Sequence, residues 1–354
     1  MNPEHVFRMR QAWMIAKLEL RRVFLAKRSL WVYLLALFPV LIFTGHGIDV
    51  KLDQKRWSGR ITPATVLESI QRGDSEEDVI RRAGDPVSSR RFRIGRDRRG
   101  QILSYYDGQR RYDVFIEDAL VTNKRARAHV DFEEDRQIFA GFFHYFYLRL
   151  AIFFGCLGIF MNLFRGEMMD KTLHFWFLAP VRRDVLLAGK YMAGLVAAVT
   201  IFTTGAVLCF LVLLWPQDQA AVQAYWQQQG PSHLFWYGAT AALACLGYGS
   251  VFLAAGLLVR NPIIPATVLS LWEGINGFLP DLLQKMSVLY YVESLAPVPA
   301  PMDPNVPALL RILLAPAAPV SAWAATAGLL AVTAVVLWLA SRRVGRLEIN
   351  YSTE

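Results

Sequence analysis

The sequence predicts a mainly α-helical membrane protein with six transmembrane helices and a small α+β exocytoplasmic domain inserted between the first and second spans. Three observations carry this. Hydrophobic residues make up 54% of the chain and charged ones only 19%, which is apolar for a soluble protein. Several runs exceed the roughly 18 apolar residues that mark a spanning helix. Residues 49–141 break from that pattern, being charged, rich in turn residues and short of long apolar runs. The 354 residues leave room for one membrane domain and one small soluble domain. In that setting a net charge of +9 reads as Lys/Arg near anionic lipid rather than as a nucleic-acid footprint. Cys156, Cys209 and Cys245 all lie inside apolar runs and read as small buried hydrophobes. The amino end is too long and too charged before its first apolar run to be a cleavable signal peptide.

Residues 1–29 hold an amphipathic helix over Trp13–Lys27, with Trp13, Ala16, Leu20 and Val23 on one face and Lys17, Arg21 and Arg22 elsewhere. A basic flank that only fixes orientation fits the same residues. Leu30–Ile48 is the first span, ~28 Å long at 1.5 Å per residue. Its basic amino flank starts it in the cytoplasm, so residues 49–141 lie outside. Within them Pro63–Ile70 and Ser75–Ala83 read as helices, with Gly73-Asp74-Ser75 as turn and cap. Alternating runs at Val87–Ile94, Gln101–Tyr106, Tyr112–Glu117 and Leu120–Lys124 read as a meander. The later spans are Phe142–Phe164, Ala188–Leu214, Leu234–Val259, Ile263–Pro280 and Val320–Ala340. The loop Trp215–His233 has no Lys or Arg, whereas Arg260 and Arg342-Arg343 mark cytoplasmic ends, so both termini are expected inside. Asp281–Pro319 is broken by prolines and reads as short exterior re-entrant or surface helices.

The stretch Arg165–Lys190 organises the rest. It is a short basic loop between two spans, and Leu173–Leu178 inside it is a short apolar helix, too short to span. Pro180 ends that helix. A monotopic helix resting on lipid headgroups fits these residues equally well. The run Glu167…Lys171-Thr172-Leu173…Leu178…Pro180-Val181…Arg183…Leu187…Gly189-Lys190 resembles the cytoplasmic loop of type-2 ABC exporter permeases. Lys171 and His174 stand where that family commonly has Gly and Glu. The resemblance implies a coupling helix seated in a partner ATPase, with contacts from Glu167, Lys171, Thr172, Leu173, Trp176, Leu178, Pro180 and Arg183. Glu19-Leu20-Arg21-Arg22 resembles the family's elbow helix, and Phe278–Leu283 the start of its exterior helices. It also implies a second permease subunit, identical or not, and ATP and Mg bound by the partner rather than by this chain. A bacterial-type inner membrane is the expected location.

The run Ile70-x-x-Gly73-Asp74-Ser75-x-x-Asp78-Val79…Gly84-Asp85-Pro86 resembles the BamE-like helix–helix–sheet modules of outer-membrane assembly lipoproteins. That implies a protein- or lipid-binding scaffold with no catalytic residue. Arg90, Arg91, Arg93, Arg96, Arg98 and Arg99 crowd one strand and its turn, either as an anion-binding patch or as a solvated hairpin tip.

Catalytic patterns are not found in the sequence. Gly189-Lys190 lacks the upstream glycine of a phosphate-binding loop, and there is no HExxH, CxxC or GxSxG. No enzyme activity, metal or nucleic-acid partner is expected. Glu273 in the fifth span needs protein or water beside it, and Arg149 in the second span is placed at similar depth. Either the two form a structural pair or Glu273 faces the translocation path. Two functions fit: a transporter permease, or a membrane-anchored envelope assembly or sensor protein acting through its exterior domain.

Overall fold

The computed structural model describes residues 3–26, 29–94, 98–128, 131–169, 172–178, 181–259, 261–301 and 320–345. The chain is mostly helical, about 75%, with one small four-stranded antiparallel sheet. Five helices among the described residues are long and apolar enough to cross a membrane: Leu30–Trp57, Phe132–Met169, Arg183–Leu214, Gly230–Leu258 and Ala322–Gly345. In chain order the helices used below are α1 (Pro3–Leu25), α2 (Leu30–Trp57), α3 (Ala64–Ser69), α4 (Glu76–Ala83), α5 (Phe132–Met169), α6 (Leu173–Leu178), α7 (Arg183–Leu214), α8 (Gln219–Gln228), α9 (Gly230–Leu258), α10 (Ile263–Gly274), α11 (Asp281–Gln284), α12 (Val288–Leu295) and α13 (Ala322–Gly345).

Two of the long helices overrun their apolar stretches. α2 continues past Ile48 to Trp57, and α5 begins at Phe132 rather than Phe142. The start of α5 follows from local chemistry. Asp131 accepts from the Glu133 and Glu134 amides at 3.0 and 3.2 Å, and Glu133, Glu134 and Asp135 fill the first turn. Acidic groups there satisfy open amides and favour the positive helix end. Inside α5, Phe143–Ile152 is wound as a π-helix.

The chain divides into two compact units. In the larger, α9 packs along the second half of α5 and along α13, and α12 wedges among α9, α13 and the π-helical turn. Small residues permit the approach. A Cβ on Gly256 would stand 3.1 Å from the Met161 backbone, and one on Gly249 2.4 Å from the Phe160 ring. Without a hydrophobic drive between helices in lipid, such contacts supply the packing.

The predicted span Ile263–Pro280 is not one helix. α10 ends at Gly274, and a single 3₁₀ turn, Asn276–Phe278, follows before α11. Gly274 and Gly277 weaken the helix there, and Pro280 supplies no amide to continue it. The 12 residues of α10 reach only ~18 Å. The short helices expected after Asp281 are present as α11 and α12. The remainder of Asp281–Pro319, beyond residue 301, lies outside the described residues.

The smaller unit holds the sheet. Its strands β1 (Ser88–Ile94), β2 (Arg98–Tyr106), β3 (Arg110–Glu117) and β4 (Leu120–Ala128) pair in the order β1-β2-β3-β4. Leu103, Tyr105, Tyr112, Val114, Ile116 and Val121 bury one sheet face against Leu67, Ile70 and Val79 of the α3–α4 pair. Ser75 caps α4 by accepting from the Asp78 amide, and Gly84 closes it at φ 78°, where a side chain would be strained. Lys124 Nζ donates to the carbonyls of Leu67, Glu68 and Ile70 at 2.9, 2.9 and 2.8 Å. One ammonium thus closes the open carbonyl end of α3.

Candidate functional site

The loop between α5 and α7 is anchored by a buried ion cluster. Lys190 is 0% exposed, Glu167 2% and Glu19 4%. Lys190 Nζ stands 2.7 Å from Glu19 Oε1 and 2.9 Å from Glu167 Oε1, and donates to the Leu163 carbonyl at 3.0 Å. Glu167 Oε1 also accepts from Arg22 Nη1 at 3.2 Å and from Trp176 Nε1 at 2.9 Å. Lys190 offsets the two buried carboxylates from within, and Arg22, its side chain 56% exposed, reaches Glu167 from the solvent side. The cluster ties both ends of the loop to α1.

The sequence explains why these groups meet. Ala12, Ile15, Ala16 and Glu19 recur at helical spacing and form the buried face of α1. They sit on α7 at Gly189, where a Cβ would meet the Ala12 carbonyl and Ile15 Cβ at 2.8 Å. Glycine lets the two backbones close, and Lys190 beside it supplies the charge. The expected face differs. Trp13 is 59% exposed, while Ala16 is buried and Leu20 and Val23 are half-buried. The small side chains of Ala12 and Ala16, rather than the bulk of Trp13, decide which face approaches α7.

The predicted coupling residues divide in consequence. Glu167 and Trp176 form the anchor. Thr172 closes the turn after α5, its amide donating to the Glu167 carbonyl at 2.9 Å. Leu178 on α6 is 79% exposed and Phe175 63%. Trp176 is half-buried, so among the described side chains of α6 the outward apolar ones are Phe175 and Leu178. Arg183, expected among the contacts to the partner, donates to the Val344 and Gly345 carbonyls at 3.4 and 3.0 Å. It neutralises the negative end of α13. Lys171, Pro180 and the side chain of Leu173 lie outside the described residues.

Arg149 and Glu273 do not pair. Arg149 Nε and Nη2 both donate to Glu293 Oε1, at 3.1 and 2.6 Å, and Glu273 accepts instead from the Ser287 hydroxyl. Equal depth was a sound criterion, but α12 returns a second carboxylate to the bundle and brings it nearer. The guanidinium also lies 5.5 Å from the Tyr145 ring, on the π-helical turn.

The arginine run is split by strand geometry, because successive residues face opposite sides. Arg90 pairs across from Ile102, and Arg91 from Gln101, with Arg93 sharing the face of Arg91. No single patch is formed by Arg90, Arg91 and Arg93, all of them exposed. Arg96 and the side chains of Arg98 and Arg99 lie outside the described residues. Among the described residues no group of three or more His, Cys, Asp or Glu is placed to hold a metal.

Glu19, Arg22 and Lys190 were not among the predicted site residues, nor was Glu293. A usable signal existed for Glu19, Arg22 and Lys190: ionisable residues inside or bordering apolar helices need partners, and Glu19 meets Lys190 while Arg22 meets Glu167.

Comparisons with family models, with curated proteins and with solved structures find no match for this chain. Fold and composition define it as a multi-pass membrane protein.

Proposed function

We propose that the chain is the permease subunit of an ABC-type transporter, working as an exporter with a separate ATPase. The observation that carries this is the exposed Phe175–Leu178 edge of α6, held from below by the Glu167–Trp176 bond. A short apolar helix between two membrane-length helices is costly in a loop unless a partner or lipid covers it. A rigid base lets force applied at α6 pass to α1, α5 and α7 together. The Lys/Arg pattern supports a cytoplasmic loop, an exocytoplasmic 49–141 domain and both termini inside a bacterial-type inner membrane. On this reading α10 and the turns up to Pro280 make the fifth of six crossings. A second permease subunit completes the path, and ATP and Mg stay with the ATPase.

Replacing Phe175 and Leu178 together with Asp should release the ATPase while the permease remains folded in the membrane. Unchanged co-purification and transport would overturn the reading in favour of a helix resting on lipid. Single cysteines at Asp97 and Arg182, in a cysteine-free background, should label from opposite sides of the membrane. The assembly or sensor alternative draws on the separate core of the α3–α4–sheet domain, and predicts that no ATPase co-purifies at all.

A further inference from the structure

The sheet of the smaller unit has two edges, and they differ. β4 is covered at its start, where Val121 donates to the Asp74 carbonyl at 2.9 Å and accepts from the Gly73 amide at 2.8 Å. The backbone of β1, among the described residues, pairs with β2 alone. Its side chains are open as well. Ser88, Ser89, Arg90, Arg91 and Arg93 are exposed, and Phe92 is half-buried with its ring over Gly100. Such an edge invites another strand, and proteins commonly blunt it with proline, a bulge or a very short strand. None of these devices is present in β1. It runs seven residues in unbroken register with β2, whereas the β3–β4 pair carries an irregularity at Phe115/Ile116. What guards β1 is charge of one sign.

We propose that β1 receives an extended acidic segment of another protein as an added strand of this sheet. The arginines make no single patch, yet they suit such a partner, because a strand laid beside β1 alternates its side chains in the same phase. Arg91 and Arg93 then meet acids on one face of the sheet, and Arg90 meets one on the other. Phe92, on the face of Arg90, meets an apolar residue. For an antiparallel partner the fitting order is acid–apolar–acid–acid, opposite Arg93, Phe92, Arg91 and Arg90 in turn. Main-chain hydrogen bonds hold the segment and the charges select it. A second copy of this chain is disfavoured, since β1 against β1 crowds arginines together. The proposal needs only this edge and is independent of the transporter reading.

The test is binding of a fluorescein-labelled peptide, Thr-Thr-Glu-Val-Glu-Glu-Thr-Thr, to the purified full-length protein, read by fluorescence anisotropy. The peptide should bind saturably, and its counterpart with lysine for glutamate should not. Arg90→Thr, Arg91→Thr and Arg93→Thr together should weaken binding roughly tenfold, three cross-strand charge pairs being lost. All three side chains are exposed, so the fold should survive. Arg90→Glu, Arg91→Glu and Arg93→Glu together should reverse the preference and accept the lysine peptide. Two further glutamate peptides carry N-methyl groups on alternate amides, one on the odd positions and one on the even. Only alternate amides of an added strand face β1, so one of these peptides should fail and the other should still bind. Equal behaviour of the two would overturn the proposal in favour of bare charge attraction, an anionic lipid surface included. Absence of saturable binding would overturn it as well. So would outward amides of β1 already protected from hydrogen exchange in the free protein, or a Ser89→Cys variant that crosslinks two copies in a cysteine-free background. The first places a segment of this chain on the edge, and the second places another copy there.

Discussion

Lys190→Met tests the anchor most directly. Methionine keeps the length and apolar stem of lysine, so the change removes charge and donors with little loss of volume. What remains is Glu19 and Glu167, both buried, having lost an ammonium at 2.7 and 2.9 Å. Glu167 keeps Arg22 and Trp176, so Glu19 bears most of the loss. Breaking a buried pair of this kind costs about 3–5 kcal/mol, because an uncompensated charge stays behind. Thermal unfolding of the purified protein, followed with limited proteolysis of α1, reads both the loss and its place. Glu19→Gln added to Lys190→Met should restore part of the stability by removing the stranded carboxylate. A Lys190→Met variant within about 0.5 kcal/mol of wild type, the range of ordinary surface changes, would refute the reasoning.

Three further outcomes are expected. Glu293→Gln should lower the yield of folded protein more than Glu273→Gln, since it leaves Arg149 unpaired, and exchanging the charges of Arg149 and Glu293 should recover much of it; equal yields of the two glutamine variants would argue against the pair. Acid should weaken the sheet domain through Asp74, whose carboxyl is held below its ordinary range by the Gln71 amide at 3.0 Å and by Arg82 at 3.2 Å. A lowered folded-state value means the contribution is complete above the unfolded value, about 4, and is lost as pH falls through the folded one. The stability gap between wild type and Asp74→Asn should therefore be constant near neutrality and close in acid, and a gap that widens in acid would contradict it. Lys124→Met should destabilise the sheet domain by about 1–2 kcal/mol, because the carbonyls of Leu67, Glu68 and Ile70 lose their donor together; urea titration of its unfolding would check this.

The sequence made the local elements of the sheet domain legible because turn chemistry is local. Gly73 and Gly84 take the positive φ their turns need, and Ser75 caps an amide three residues on. Each strand contains its alternating run to within a residue, with β2, β3 and β4 extending beyond it. Helix ends near the apolar runs were less legible. Composition reports where hydrocarbon stops, not where backbone hydrogen bonding stops, and α2 and α5 continue beyond that boundary. The anchor was hidden for another reason. Glu19 and Lys190 are 171 residues apart, and no periodicity links them. Only the approach of α1 to Gly189 brings them together. Arg149 shows the same limit: its depth was readable, but its choice between Glu273 and Glu293 depended on how the chain folds back after Gly274.

The π-helical turn over Phe143–Ile152 gives α5 an adjustable phase. In an α-helix each residue added or removed turns everything beyond it by about 100°. A wide turn absorbs such a change without breaking the helix, as an extra tooth does in a gear. Arg149 and Tyr145 ride on this turn, Glu167 lies beyond it, and Glu133–Asp135 precede it. The two halves of one helix can therefore be re-aimed against each other by a single insertion or deletion. A single-residue change there would alter which side of α5 meets α12 while the Glu167 end keeps its register with Lys190.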